Sequence, residues 1–213
     1  MIFQEFEKKI VKITKMQLPG EVVQYKMAPL ERLAEMKRLA YKKNTAKRAG
    51  VLALFYPSIN NNTCFALILR KTYKGVHSAQ IGFPGGKLEY SDGSLKDTAL
   101  RETEEEVGVL RNSVSILKKL TEIYIPPSDF FVQPYLGITT TTPKFILQKE
   151  EVEELIEVRL DHFMDDSIKT MQTLSTSYAK NIEVPAFMLN NHLVWGATAM
   201  MLNEVREMLK ELL

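Results

Sequence analysis

Glu102, Glu105 and Glu106 stand at positions i, i+3 and i+4 of the run Arg101-Glu-Thr-Glu-Glu-Glu-Val-Gly108. On a helix that spacing brings three carboxylates to one face. Like charges so placed destabilise an isolated helix by roughly 0.2–0.5 kcal/mol per pair, so something must compensate. A hard divalent cation does so well, because Mg²⁺ and Mn²⁺ favour oxygen ligands and retain waters that bridge to phosphates. The competing reading is a solvated helix face, which an isolated acidic run usually is. This run is not isolated. Arg101 is placed to pair with a neighbouring glutamate, Gly108 follows, and Phe83-Pro-Gly-Gly86 lies upstream. Gly85 and Gly86 have no side chains to block a phosphate or metal, and their carbonyls can act as ligands.

Several elements must hold these residues in place. Residues 94–107 read as a helix, with Ala99, Leu100, Thr103 and Val107 on its inner face and Gly108 as a left-handed cap. Two short apolar runs, 49–56 and 63–69, flank a Pro/Asn-rich turn and read as an antiparallel pair of buried strands. Further strands are expected at 114–125, 130–139 and 152–158, with Pro126-Pro-Ser-Asp129 as a turn. Phe3, Phe6, Ile10 and Ile13 mark an amphipathic helix that Pro19-Gly20 stops. A second helix is expected from Pro29 to about Tyr41, and a last one over 197–213. The basic run from Lys42 to Arg48 is either a solvated connection or a contact for substrate phosphates. The expectation is one mixed α/β domain over 1–213, with a helical N-terminal extension over about 1–46.

The chain has 213 residues, 45% hydrophobic and 25% charged, as in an ordinary globular protein able to bury a full core. Its net charge of +2 is too small to suggest wholesale binding to nucleic acid or membranes. Cys64 is the single cysteine, which excludes an internal disulfide and a cysteine zinc cluster; it reads as a small buried hydrophobe. No apolar window approaches the roughly 20 residues of a membrane-spanning helix, and the N-terminus lacks a signal peptide's apolar stretch. A cytoplasmic location is expected.

The segment from Gly86 to Val109 resembles the signature of the Nudix hydrolases, Gly-x5-Glu-x7-Arg-Glu-U-x-Glu-Glu-x-Gly-U, where U is a bulky apolar residue. Arg101 to Val109 match its second half, except that Thr103 stands where an apolar residue is usual. The first half is one residue longer, and Asp92 or Gly93 takes the place of the first glutamate. The same longer spacing occurs in the coenzyme A pyrophosphatase branch, which carries a further motif upstream. Arg70, His77, Gln80, Phe83, Pro84, Gly85 and Gly86 match that motif, whereas Lys74-Gly75 replaces a Leu-Arg pair and Ala79 a glycine. Segments 124–130 and 195–199 are similar to this branch as well.

The resemblance implies an α/β/α sandwich around a mixed sheet, with added N- and C-terminal helices. It implies hydrolysis of a pyrophosphate bond, coenzyme A giving 3′,5′-ADP and 4′-phosphopantetheine, with Mg²⁺ or Mn²⁺ as cofactor. Glu102, Glu105, Glu106 and Gly85 would hold the metal, with Arg101 completing the catalytic set. Arg70, His77, Gln80, Gly85 and Gly86 would contact substrate. Glu150 or Glu151 could supply a further acid, and His77 invites a role as general base or as a binding residue. Trp195 either packs at the start of the last helix or stacks on an adenine ring. ADP-ribose or a dinucleotide as substrate, and a non-cleaving nucleotide sensor, are the other readings. The partner is a small molecule, with a homodimer left open.

Overall fold

Strands β1 (Lys47–Pro57) and β2 (Thr63–Arg70) pair antiparallel, with Phe55 opposite Phe65 and Tyr56 opposite Cys64. They are apolar at nearly every position because both faces of their sheet are covered. Leu52, Leu54 and Tyr56 pack with Ala99 and Val107 on one side. The alternate residues Ala53 and Phe55 pack with Phe3, Phe6 and Met201 on the other. The computed structural model in which this is seen describes residues 1–29, 33, 38, 45–71, 80–174 and 181–213. Most of the helix expected beyond Pro29, Lys42 to Asn44, and Lys74, Gly75, His77 and Ala79 lie outside the described residues.

β1 also runs parallel to β7 (Phe130–Ile138), from Lys47 beside Phe130 to Phe55 beside Ile138. β8 (Val152–Arg159) and the short β3 (Ile81–Gly82) pair antiparallel with β2. β4 (Gly85–Lys87) pairs antiparallel with β1, and β5 (Ser115–Lys119) and β6 (Ile123–Ile125) with β7. Among the described residues the result is a mixed eight-stranded sheet.

Helix α1 (Phe3–Ile10), its 3₁₀ continuation Val11–Lys15, the short α2 (Glu21–Gln24) and the last helix, here α5 (Gly196–Leu212), contribute to one face. The Phe6 and Phe55 rings meet there at 5.2 Å. Helix α3 (Leu95–Val107) covers the other face. The expected α/β/α sandwich with its added terminal helices is therefore what the chain forms. Lys47 and Arg48, expected in a connection or at substrate phosphates, open β1 and so are not part of a connection. Arg48 pairs with Glu122, and the Lys47 ammonium lies 5.5 Å from the Phe130 ring centroid.

The continuous strand expected over 114–125 is broken between β5 and β6. The cause lies in the partner strand, where Pro134 has no N–H to donate. Leu120 N–H still donates to Pro134 O at 3.0 Å, but Leu120 O takes its proton from the Gln133 side-chain amide at 2.7 Å. The chain then leaves the ladder, and buried Glu204 of α5 binds it. One Glu204 oxygen accepts from Thr121 N at 3.1 Å and from Gln24 Nε2 at 3.0 Å, and the other from the Thr121 hydroxyl.

A second sheet was not foreseen. It consists of β9 (Lys169–Leu174), β10 (Ile182–Leu189) and β11 (His192–Trp195), with β10 in the centre, and follows the short α4 (Leu160–Met164). Asn190 and Asn191, both left-handed, make the tight turn from β10 to β11.

Candidate active site

Ser94 caps α3, its hydroxyl accepting from Asp97 N–H, and left-handed Gly108 (φ 76°) ends it. Thr103, in a usually apolar position, is fully buried but satisfied, since its hydroxyl donates to Ala99 O at 2.7 Å. The helix seats against β1 at Gly50. A Cβ there would overlap Leu95 O and lie 3.1 Å from Ala99 N, so only glycine lets the two backbones meet.

This docking turns Glu102 and Glu106 toward β4. A Cβ on Gly86 would lie 2.5 Å from Glu102 Oε2, so the glutamate occupies the space a side chain would take. Glu106, 1% exposed, accepts from Gly85 N–H through Oε2 at 2.8 Å and from Arg70 Nη1 through Oε1 at 2.8 Å. Arg70 Nη2 donates to Gly85 O at 2.5 Å. Burial pushes the Glu106 carboxyl up to about 7, against the opposing pull of Arg70 and the Gly85 amide. Burial raises the Glu102 carboxyl too.

Arg101 is nearly buried and held on several sides. Asp92 takes its Nε at 2.9 Å and Nη2 at 3.0 Å in a bidentate pair. Its Nη1 stands 3.0 Å from Glu102 and 2.9 Å from Glu105. The hydrogen bond from Arg101 holds the Asp92 carboxyl well below the usual carboxylate range. Asp92, which replaces the glutamate of the resembled signature, is thus the anchor of Arg101. Lysine has no such fork. Arg101→Lys is expected to lower unfolding free energy by about 2 kcal/mol, read by urea denaturation.

Glu105 is the most exposed of the three carboxylates, and the trio does not form a closed cage. Among the described residues no three His, Cys, Asp or Glu side chains make a ready metal-binding group. Two arginines now lie among the oxygens instead. The donor chemistry still fits a hard divalent ion, since Glu102, Glu105, Glu106 and the Gly85 carbonyl offer oxygen only. Glu150 and Glu151 are exposed; Glu151 O accepts from Lys71 N–H at 2.9 Å, next to Arg70.

A cavity of about 350 Å³ opens on Gly85 and Gly86, with Arg70, Gln80 and Lys87 among its walls. Of the residues expected to contact substrate, Arg70, Gln80, Gly85 and Gly86 line this cavity. Sequence reasoning missed Leu193 and Met201, which also line it, and Trp195, foreseen only as packing or stacking, stands in the same wall.

In metal-free protein the raised Glu106 value fixes the sign of a pH effect. Folded protein keeps a proton that the unfolded chain, with its ordinary value of 4.5, has already released. That contribution to stability is complete below pH 4.5 and is lost as pH rises through about 7. Glu102 acts in the same sense, and Asp92, shifted downward, titrates below this window. With EDTA present, Tm is expected to fall from pH 5.5 to 8, and to fall less in Glu106→Gln.

A family profile for the NUDIX domain matches residues 46–174. A protein of Yersinia pestis (strain Pestoides F), named "Uncharacterized Nudix hydrolase NudL", is 32% identical over 165 residues, covering 76% of this chain and 80% of that one. A Nudix hydrolase structure from M. Smegmatis, RenU, superposes with a TM-score of 0.53 at 15% identity, covering 79% of this chain and 88% of that one. A MutT/nudix family structure from Enterococcus faecalis gives 0.51 at 16% identity, covering 92% and 75%. These two likenesses speak for the fold, and the family match and the Yersinia relative for the chemistry. The chain belongs to the Nudix hydrolase family and is a Nudix pyrophosphohydrolase.

Proposed function

We propose that the protein hydrolyses the pyrophosphate bond of coenzyme A or its derivatives in the cytoplasm, releasing 3′,5′-ADP and 4′-phosphopantetheine. The observation that carries this reading is the placement of Glu102 and Glu106 directly against Gly85-Gly86, two glycines that line a cavity together with Arg70 and Lys87. A diphosphate needs both features, because its own negative oxygens repel an incoming water or hydroxide.

Glu102, Glu105, Glu106 and Gly85 O would hold Mg²⁺ or Mn²⁺. Nudix hydrolases generally use divalent ions, which supply charge neutralisation and acidify water. The absent side chains at Gly85 and Gly86 let β1 and Glu102 close on this turn, and both glycines line the cavity in which the diphosphate would sit. Arg70 and Gln80 contact it, and Arg101 positions Glu102 and Glu105 from beneath. The assignment to coenzyme A draws support from the motif that runs from Arg70 to Gly86, whose two ends meet in the Arg70 to Gly85 hydrogen bond. Lys74, Gly75 and Ala79, which depart from that motif, favour ADP-ribose or a dinucleotide as the alternative.

Incubation with coenzyme A, ADP-ribose and NADH in Mg²⁺ or Mn²⁺, with products identified by mass spectrometry, tests the assignment. Coenzyme A is expected to show a kcat/KM at least about 10-fold above the others, the discrimination that a small difference in apolar contact supports. Cleavage of ADP-ribose or NADH alone would overturn the coenzyme A assignment.

A further inference from the structure

The geometry points to a specificity wall built by β11 and the first turns of α5, which accepts an uncharged, largely apolar group carried by the diphosphate. This rests on reading Gly85-Gly86 as the seat of the diphosphate. Arg70 and Lys87 are the only charged side chains that line the cavity among the described residues, and Ile125, Pro127, Phe130, Leu193, Trp195 and Met201 make up much of the remainder. No aspartate or glutamate lines it among the described residues. The Thr198 hydroxyl is committed, donating to Ile81 O at 2.8 Å. With Arg70 and Lys87 taken by the diphosphate, a second charged group would lose hydration without finding an opposite charge, whereas an apolar chain or flat ring would gain by leaving water. Trp195 suits such a group, with a broad apolar face and one polar N–H.

The wall is held firmly and comes from outside residues 46–174. β11 pairs with β10, Leu193 opposite Met188 and Trp195 opposite Ala186. Thr198 ties α5 to β3, and Glu204 ties it to the break between β5 and β6. Leu193 and Trp195 are therefore presented from fixed backbone, as a selective surface requires.

Trp195 is the only tryptophan, so its emission reports on this wall alone. The full-length protein in EDTA, where nothing is hydrolysed, is titrated with three probes: pantetheine, adenosine and inorganic pyrophosphate. Pantetheine or adenosine is expected to change Trp195 emission saturably, and whichever does so identifies the side of the substrate that the wall holds. Leu193→Glu, which adds a carboxylate to a half-exposed position, is expected to weaken that binding at least about 10-fold, with an unchanged circular dichroism spectrum. Leu193→Ala, expected to weaken it less, serves if the glutamate variant does not fold. The inference is overturned if neither uncharged probe moves the emission, if pyrophosphate moves it as much, or if neither Leu193 variant alters binding. A saturable pantetheine response in a protein that leaves coenzyme A intact would count against the proposed reaction and not against the wall.

Discussion

Glu106→Gln is expected to lower kcat/KM for diphosphate hydrolysis by at least about 100-fold while the fold persists. Glutamine matches the carboxylate in shape, and its amide oxygen can still accept from Gly85 N–H, now made at 2.8 Å. The negative charge is what disappears. Even outer-shell partners of metal ligands typically contribute 10- to 100-fold, and Glu106 is proposed as a direct ligand. Its burial makes the loss hard to offset, since water has little access to supply a substitute donor. Glu105 is about half exposed and shares Arg101 with Glu102 and Asp92, so Glu105→Gln should cost less than Glu106→Gln. Steady-state kinetics in saturating Mg²⁺, with circular dichroism to confirm folding, ranks the two. Equal losses, or a larger loss at Glu105, would contradict the geometry.

Gly50→Ala is expected to destabilise the protein by about 3 kcal/mol, the upper end of ordinary overpacking costs. For a chain of this size that corresponds to a fall in Tm of about 6–12 °C. The added methyl would meet Leu95 O, Leu95 C and Ala99 N, all backbone atoms of α3. No rotamer change relieves that clash, so α3 must move away from β1. Gly50 is also paired with Gly86 in the sheet, so the shift reaches the site and activity falls as well. Gly82→Ala is the control. Its nearest neighbour there would be the Thr198 hydroxyl at 3.8 Å, an ordinary contact, and Tm should change little.

The parts of the site that depend on local spacing were readable from the sequence. The i, i+3, i+4 glutamates, the Ser94 to Gly108 bounds of the helix and the paired glycines are set by neighbours within one or two turns. Asp92 shows where local reading falls short. The spacing leaves Asp92 or Gly93 in place of the signature glutamate, in a loop one residue longer, and only the fold shows that Asp92 reaches Arg101 with both oxygens. Arg70 and Glu106 lie 36 residues apart, so their pairing becomes visible only after β2 and α3 are placed. Pro185 obscured the second sheet, because proline is scarce in central strands, and β10 is central. The break between β5 and β6 originates in Pro134 of another strand, out of reach of any local pattern. The cavity wall shares both problems, as it is formed where two sheets and the last helix meet.

Single-turnover hydrolysis of coenzyme A in ¹⁸O-labelled water with Mg²⁺ tests the central claim most directly. The expected products are 3′,5′-ADP and 4′-phosphopantetheine, with one heavy oxygen in one of the two and none formed when Glu102 and Glu106 are both glutamine. Coenzyme A left intact by folded wild-type protein in both Mg²⁺ and Mn²⁺ would contradict it.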